Sequence, residues 1–125
     1  MIYLDTHVLI WLYALGADSL SPAAAELIAG SQDIRSSPMA RLELQHLYEI
    51  GRVTEPAVTV VDALHAALGL TLCTTPFAAV VHEAERQAWT RDPFDRLIVA
   101  QAALHDALLI TKDETLHAHY RRAAW

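Results

Sequence analysis

Four carboxylates interrupt stretches of this chain that are otherwise suited to burial, and that placement constrains the fold more than any other feature. Asp5 follows the short apolar run Ile2-Tyr3-Leu4, and Asp113 follows Leu108-Leu109-Ile110-Thr111-Lys112. Glu43 lies within Arg41-Leu42-Glu43-Leu44, and Asp95 within Asp92-Pro93-Phe94-Asp95-Arg96. An ionised carboxylate on a buried face is unfavourable unless it is paired or bound to a metal. Four converging acids describe a site for a hard divalent cation, of the kind that serves phosphodiester cleavage.

Between these acids the chain reads as short strands alternating with helices. Ile2-Leu4, Ile34-Ser36, Leu70-Cys73 and Leu108-Ile110 are strand-like, with Ala123-Trp125 as a last edge strand. Thr6 to Leu15 reads as a helix, with Val8, Leu9, Leu12 and Leu15 at helical spacing. Ser21-Pro22 and Ser37-Pro38 each place a serine cap before a first-turn proline, opening helices that Gly30 and Gly51 close. Glu55-Pro56 opens a helix ending near Gly69, Pro76 a long one reaching about Trp89, and Asp92-Pro93 one ending near Asp106. A short helix over Glu114 to Tyr120 completes the series. This alternation predicts an α/β fold with a parallel sheet covered on both faces, and in such sheets ligands bind beyond the carboxyl ends of the strands.

Each acid has a plainer reading beside the functional one. Asp5 and Asp113 are each placed to cap the following helix, and Asp92 is placed to cap the helix that Pro93 begins. Asp95, in the first turn of that helix, suits the helix dipole. Yet the helix beyond is apolar nearly all round, so its first turn points into the interior or a cleft. Glu43 is the most telling. At about 100° per residue its side chain falls on the arc of Met39, Ala40, Leu44, Leu47 and Ile50, opposite Arg41, Gln45 and Glu49. The alternative to a metal is an ion pair, with Arg96 as the partner. Thr111 is placed to hold Asp113 or a metal-bound water.

Composition narrows the function. At 125 residues and 54% hydrophobic, the chain predicts one globular domain over residues 1–125. A formal charge of −6, with one lysine and eight arginines, argues against binding nucleic acid by a broad basic surface. The four candidate ligands account for most of that excess. Arg41, Arg52, Arg91 and Arg96 lie in or near the acidic segments and are candidates for phosphate contact. The single cysteine, Cys73, the absence of a secretory pattern and the shortness of the Val8–Leu15 apolar run predict a cytoplasmic protein with no membrane span. The seven histidines show no zinc-ligand spacing, and no glycine-rich phosphate loop or serine elbow occurs. Trp11, Trp89 and Trp125 read as packing residues, not as a base-stacking row.

In order along the chain, Met1-Ile2-Tyr3-Leu4-Asp5-Thr6-His7, Leu42-Glu43-Leu44, Asp92-Pro93-Phe94-Asp95-Arg96-Leu97-Ile98 and Thr111-Lys112-Asp113 resemble the motifs of PIN-domain proteins of the VapC toxin type. The resemblance implies a three-layer α/β/α sandwich around a parallel sheet. It implies an endoribonuclease that cleaves RNA phosphodiester bonds by metal-activated water, acting as the toxin of a toxin–antitoxin pair. Asp5, Glu43, Asp95 and Asp113 would be the catalytic metal ligands for Mg²⁺ or Mn²⁺, with Thr6, Thr111 and Asp92 behind them and Arg41, Arg91 and Arg96 as candidate RNA contacts. It also implies a homodimer and a cognate antitoxin covering the acidic cleft. His7 stands where many relatives carry asparagine. One alternative keeps the fold as a non-catalytic module that binds RNA or protein. Two other acid-bearing α/β classes fit poorly: a receiver domain needs an aspartate after a middle strand, where Leu70-Cys73 is followed by Thr74-Thr75-Pro76, and a haloacid-dehalogenase-type phosphatase needs Asp-x-Asp where this chain has Asp5-Thr6-His7.

Overall fold

The computed structural model describes all 125 residues. Strand β1 (Ile2–Leu4) lies at the centre of a five-stranded sheet in the order β3-β2-β1-β4-β5, where β2 is Ile34–Ser36, β3 Thr71–Leu72, β4 Leu108–Ile110 and β5 Ala123–Ala124. Every pairing is parallel. Seven helices cover the sheet in a three-layer sandwich: α1 (Thr6–Leu15), α2 (Pro22–Ala29), α3 (Pro38–Glu49), α4 (Ala57–Leu68), α5 (Phe77–Ala84), α6 (Pro93–Leu104) and α7 (Glu114–His119). The chain winds outward from β1 through β2 to β3, then returns to lay β4 on the other side of β1. The strand order therefore reverses between β1 and β4, the position where α/β sheets open a crevice at their carboxyl edge.

Burial follows from this placement. Tyr3, Leu4, Leu109 and Ile110 on the two central strands are essentially inaccessible, as expected for parallel strands packed on both faces. Val8 and Leu9 of α1, Ala40 and Leu44 of α3, and Ile98, Val99 and Ala102 of α6 close over them in one continuous core. α6 buries five consecutive residues, Ile98 to Ala102, which matches its nearly all-round apolar sequence. None of the helices is long and apolar enough to cross a membrane.

Local signals account for most helix ends. The Ser21 hydroxyl accepts from the Ala24 N–H at 3.0 Å, and that of Ser37 from the Met39 N–H at 2.9 Å. Gly69, at φ +71°, ends α4 in the left-handed region that glycine enters without strain. Pro56 brings no capping side chain to α4, and the Ala57 N–H donates instead to Gln45 Oε1 on α3 at 3.1 Å.

The structure corrects the sequence reading in four places. Leu15 and Ile50 are 68% and 53% exposed although both fall on apolar arcs. A ten-residue helix is about 15 Å long, whereas a three-residue strand spans about 10 Å, so the far end of α1 overshoots the sheet. Ile50 lies just past α3, where the chain turns at Gly51. The third strand is only Thr71–Leu72, since it pairs with β2 alone at the sheet edge. The helix begun after Pro76 stops at Ala84 instead of reaching Trp89. Its end is capped from a distance: Arg96 Nε donates to the Ala84 carbonyl at 3.1 Å and Nη2 to the Glu85 carbonyl at 3.3 Å. Trp89 then lies outside the helix, stacked on His119 with ring centres 4.9 Å apart and its indole N–H on Gln87 Oε1.

Because Arg96 is the donor to the Glu85 carbonyl and shares the Ala84 carbonyl with the Gln87 N–H, Arg96→Met is expected to lower stability by about 1–2 kcal/mol, read as a reduced urea midpoint with an unchanged m-value. An unchanged midpoint would show that water caps α5 equally well.

Candidate functional site

The switch point between β1 and β4 assembles the acids. In the register Leu4 opposite Ile110, the next residues outward are Asp5 and Thr111. The Asp5 N–H donates to the Ile110 carbonyl at 3.1 Å, extending the ladder by one step. Thr111 Oγ1 donates to Asp5 Oδ2 at 2.7 Å, and the Thr6 N–H donates to Asp5 Oδ1 at 2.8 Å. Asp5 is only 6% exposed, so both of its oxygens are held by the fold. Thr111 is fully buried, and its hydroxyl also accepts from the Asp113 N–H at 3.1 Å, tying the two acid-bearing segments together.

The remaining acids arrive on helices. Asp113 caps α7, accepting from Thr115 and Leu116 N–H groups at 2.8 and 3.1 Å. Asp92 caps α6, accepting from the Phe94 N–H at 2.9 Å, and Asp95 lies one turn in. Glu43 projects from the middle of α3, half-buried, towards Thr6. The capping roles expected of Asp5, Asp92 and Asp113 are therefore real, and they coexist with convergence of the same side chains on one region.

That convergence is electrostatically costly. Burial raises the Asp5 carboxyl above the ordinary range, against the lowering effect of Thr111, with Asp113 adding repulsion. Burial likewise raises Glu43, which also feels Asp5 and Asp92. Asp95 is pushed up to about 7, by burial first and then by Asp92, Asp5, Glu43 and Asp113. No basic side chain forms an ion pair with the group, although His7 nearby lowers the Asp5 and Glu43 carboxyls in part. The ion pairs join Arg35 to Asp33, Arg86 to Glu83, Arg121 and Arg122 to Asp106, and His82 to Glu85. Arg96, expected as the ion-pair partner of Glu43, is turned to the end of α5 instead.

The donor set suits a hard cation. Carboxylate oxygens are the ligands that Mg²⁺ and Mn²⁺ prefer. The buried Thr6 hydroxyl meets no group at strict hydrogen-bond geometry and faces Glu43, whose carboxyl it lowers against the effect of burial. In this conformation no three of the chain's His, Cys, Asp and Glu side chains close on one point. Mg²⁺ keeps several waters and needs only one or two direct carboxylates, so a looser arrangement of acids still fits it.

Other expected residues lie elsewhere. Arg41 lines a shallow depression with Gln45, Ala57 and Val58, away from Glu43. Arg91 folds onto its own loop, donating to the Ala88 carbonyl at 2.8 Å. Two residues not singled out from sequence do border the acids: Lys112 and Glu114 line an open depression of about 350 Å³ with Asp5, His7, Trp11 and Asp113. Their adjacency to Asp113 was the available signal. The largest cavity, about 620 Å³, is lined mainly by apolar side chains such as Ile10, Leu44 and Val60 but also by Arg52 and Glu55, which places Arg52 apart from the acid cluster.

The raised carboxyls give a signed expectation. An acid whose pKa is higher when folded binds its proton more tightly in the folded state, so stability falls as pH rises from the ordinary carboxylate range through about 7. In EDTA the Tm is expected to rise as pH is lowered from neutrality towards 5.5. Asp95→Asn is expected to raise the Tm at neutral pH by about 2–5 °C and to flatten that dependence. A Tm that fell on mild acidification would contradict the repulsion.

Residues 2–122 match the PIN domain family. Ribonuclease VapC22 of Mycobacterium tuberculosis is 32% identical over 120 residues, covering 94% of this chain and 91% of the relative. Among solved structures, a toxin–antitoxin complex from Klebsiella pneumoniae superposes with a TM-score of 0.66 at 19% identity, covering 100% of this chain and 97% of the other. VapBC-1 from nontypeable Haemophilus influenzae gives 0.65 at 18% identity, with 100% and 96% covered. VapBC2 from Rickettsia felis, bound to a DNA fragment from its promoter, gives 0.62 at 21% identity, with 98% and 96% covered. With its reversed parallel sheet, its acids at the reversal and a VapC relative aligned over nearly its whole length, the chain belongs to the PIN-domain family and to the VapC group within it.

Proposed function

We propose that this chain is a divalent-metal-dependent endoribonuclease, the toxin of a toxin–antitoxin pair, with residues 1–125 acting as one PIN unit in the cytoplasm. The observation that carries the reading is the unpaired set of acids at the sheet reversal. Three of its carboxyls are raised by burial and mutual repulsion, and none is in an ion pair. A purely structural cluster gains nothing from that arrangement, whereas a cation site requires it.

Asp5, Glu43, Asp95 and Asp113 would hold Mg²⁺ or Mn²⁺. When bound, the ion supplies Lewis acidity towards phosphodiester oxygens and lowers the pKa of water. The protein residues supply orientation. Thr111 Oγ1 and the Thr6 N–H fix both oxygens of Asp5, so that carboxylate is set before any ligand arrives. Asp92 adds negative charge beside Glu43 and Asp95 while capping α6. Asp95, near 7, is the acid best placed to take up or release a proton at neutral pH.

The partners follow from the same family reading. The solved relatives in their toxin–antitoxin and VapBC complexes support an antitoxin for this chain. Leu42, Tyr48 and Ile50 on and after α3, 54%, 39% and 53% exposed, give that helix apolar surface for an antitoxin or for a second copy in a homodimer.

The test is cleavage of total cellular RNA by purified, antitoxin-free protein in Mg²⁺, in Mn²⁺ and in EDTA. Discrete fragments are expected with either metal and none in EDTA. Asp5→Asn keeps an oxygen to accept from the Thr6 N–H and can donate its amide NH₂ to the Thr111 hydroxyl, and is expected to lower the rate by about 10²- to 10³-fold or more without loss of fold. Wild-type rates from that variant, or folded protein that cleaves nothing in either metal, would remove the assignment.

A further inference from the structure

The depression beside the acids has one wall that the metal reading does not use. Trp11 on α1 packs on neither the main core nor the smaller cluster around Val80, although Trp89 and Trp125 both pack on the main core. Its indole instead meets Trp125 edge-on, with ring centres 5.6 Å apart and planes at 67°, and lies 6.0 Å from the His7 ring. Lys112, the only lysine in the chain, forms no ion pair, although Asp113 and Glu114 follow it directly. Its ammonium stands 6.0 Å from the centre of the Trp11 ring and 5.8 Å from that of Trp125. Trp11, His7 and Lys112 share the depression with Asp5 and Asp113. Trp11 therefore packs, as expected from sequence, but on Trp125 at the edge of the core and with a face towards the depression.

An indole left out of the core, held edge-on by a second tryptophan and flanked by a cation, is a platform for a flat aromatic ring with an anionic group attached beside it. Nucleobases present such a ring, and stacking on aromatic side chains is how unpaired bases are held without regard to sequence. The cation–π contacts keep the Lys112 ammonium over the rings instead of paired with a neighbouring carboxylate, so it remains available to a phosphate. We propose that Trp11 and Lys112 form a nucleotide subsite next to the acid cluster: the Trp11 indole stacks a base of single-stranded RNA flanking the scissile phosphate, and Lys112 contacts the phosphate beside that base. The subsite deepens the nuclease reading and rests on it for its location. In an acidic protein it supplies the RNA-binding surface that overall charge does not.

Binding is measured by fluorescence anisotropy on Asp5→Asn protein in Mg²⁺. The probes are a labelled single-stranded oligoribonucleotide of about ten nucleotides and mixed sequence, and the same strand made abasic. Adding Trp11→Ala is expected to weaken binding of the base-bearing strand by about 5- to 100-fold and to leave the abasic strand unchanged. Trp11→Phe, which keeps a stacking face, is expected to recover most of the loss. Lys112→Gln is expected to weaken both strands and to reduce the slope of log affinity against log salt by about 0.7, one phosphate contact. Equal affinities with and without Trp11, an equal loss on the abasic strand, or no binding of either strand by the Asp5→Asn parent would overturn the subsite. Wild-type cleavage, scored in parallel, tests the nuclease reading separately: base-dependent binding through Trp11 without cleavage would keep the subsite and remove the nuclease.

Discussion

The parallel pairing of β1 with β4 governs everything else in this molecule. Three residues on each strand set the register, Leu4 against Ile110, and the same register carries Asp5 and Thr111 out side by side at the carboxyl edge. The hydrogen bond from Thr111 Oγ1 to Asp5 Oδ2, at 2.7 Å, is the continuation of the ladder into side chains. It joins residues 106 apart in sequence, so it forms only once the chain has wound outward through β3 and returned. The reversal of winding direction supplies the crevice, the core on both sheet faces makes the strands rigid, and the register decides which side chains stand in the opening.

Gathering like charges there requires compensation from the fold itself. Asp5, Asp92 and Asp113 each accept backbone N–H groups at the start of α1, α6 and α7. The N-termini of three helices, each with its partial positive charge, therefore meet at the acids. Glu43 has no such support, and neither does the side chain of Asp95. Burial and neighbouring acids raise both of their carboxyls, as they raise that of Asp5, but without a backbone N–H to offset the effect. The residual repulsion is what the proposed cation would relieve.

Much of this was legible in the residues because acids break patterns. Glu43 stood out on an apolar arc, Asp95 opened a helix apolar on every side, and Ser-Pro and Asp-Pro pairs marked helix starts correctly. The illegible parts are those decided by distant residues. α5 stops at Ala84, where the Arg86 and Gln87 N–H groups turn to carbonyls three residues back and Arg96, twelve positions on, reaches the last carbonyls. The same contact removed Arg96 as a partner for Glu43. Leu15 follows a helical period faithfully and is exposed all the same, because periodicity knows the face of a helix but not the length of the sheet beneath it. Trp11 was read as packing because size and apolarity usually mean the core; only its neighbours show that it faces a depression.

The acids also differ in what they would lose if chemistry ceased to matter. Asp5, Asp92 and Asp113 terminate helices, a duty that asparagine, serine or threonine would discharge nearly as well. Glu43 sits in mid-helix, unpaired, and raises the cost of folding at neutral pH. A lineage under selection for the fold alone would thus replace Glu43 early, by any apolar residue that suits its half-buried position, while polar residues persisted at positions 5 and 113. Position 43 is where drift after a loss of activity would first become visible.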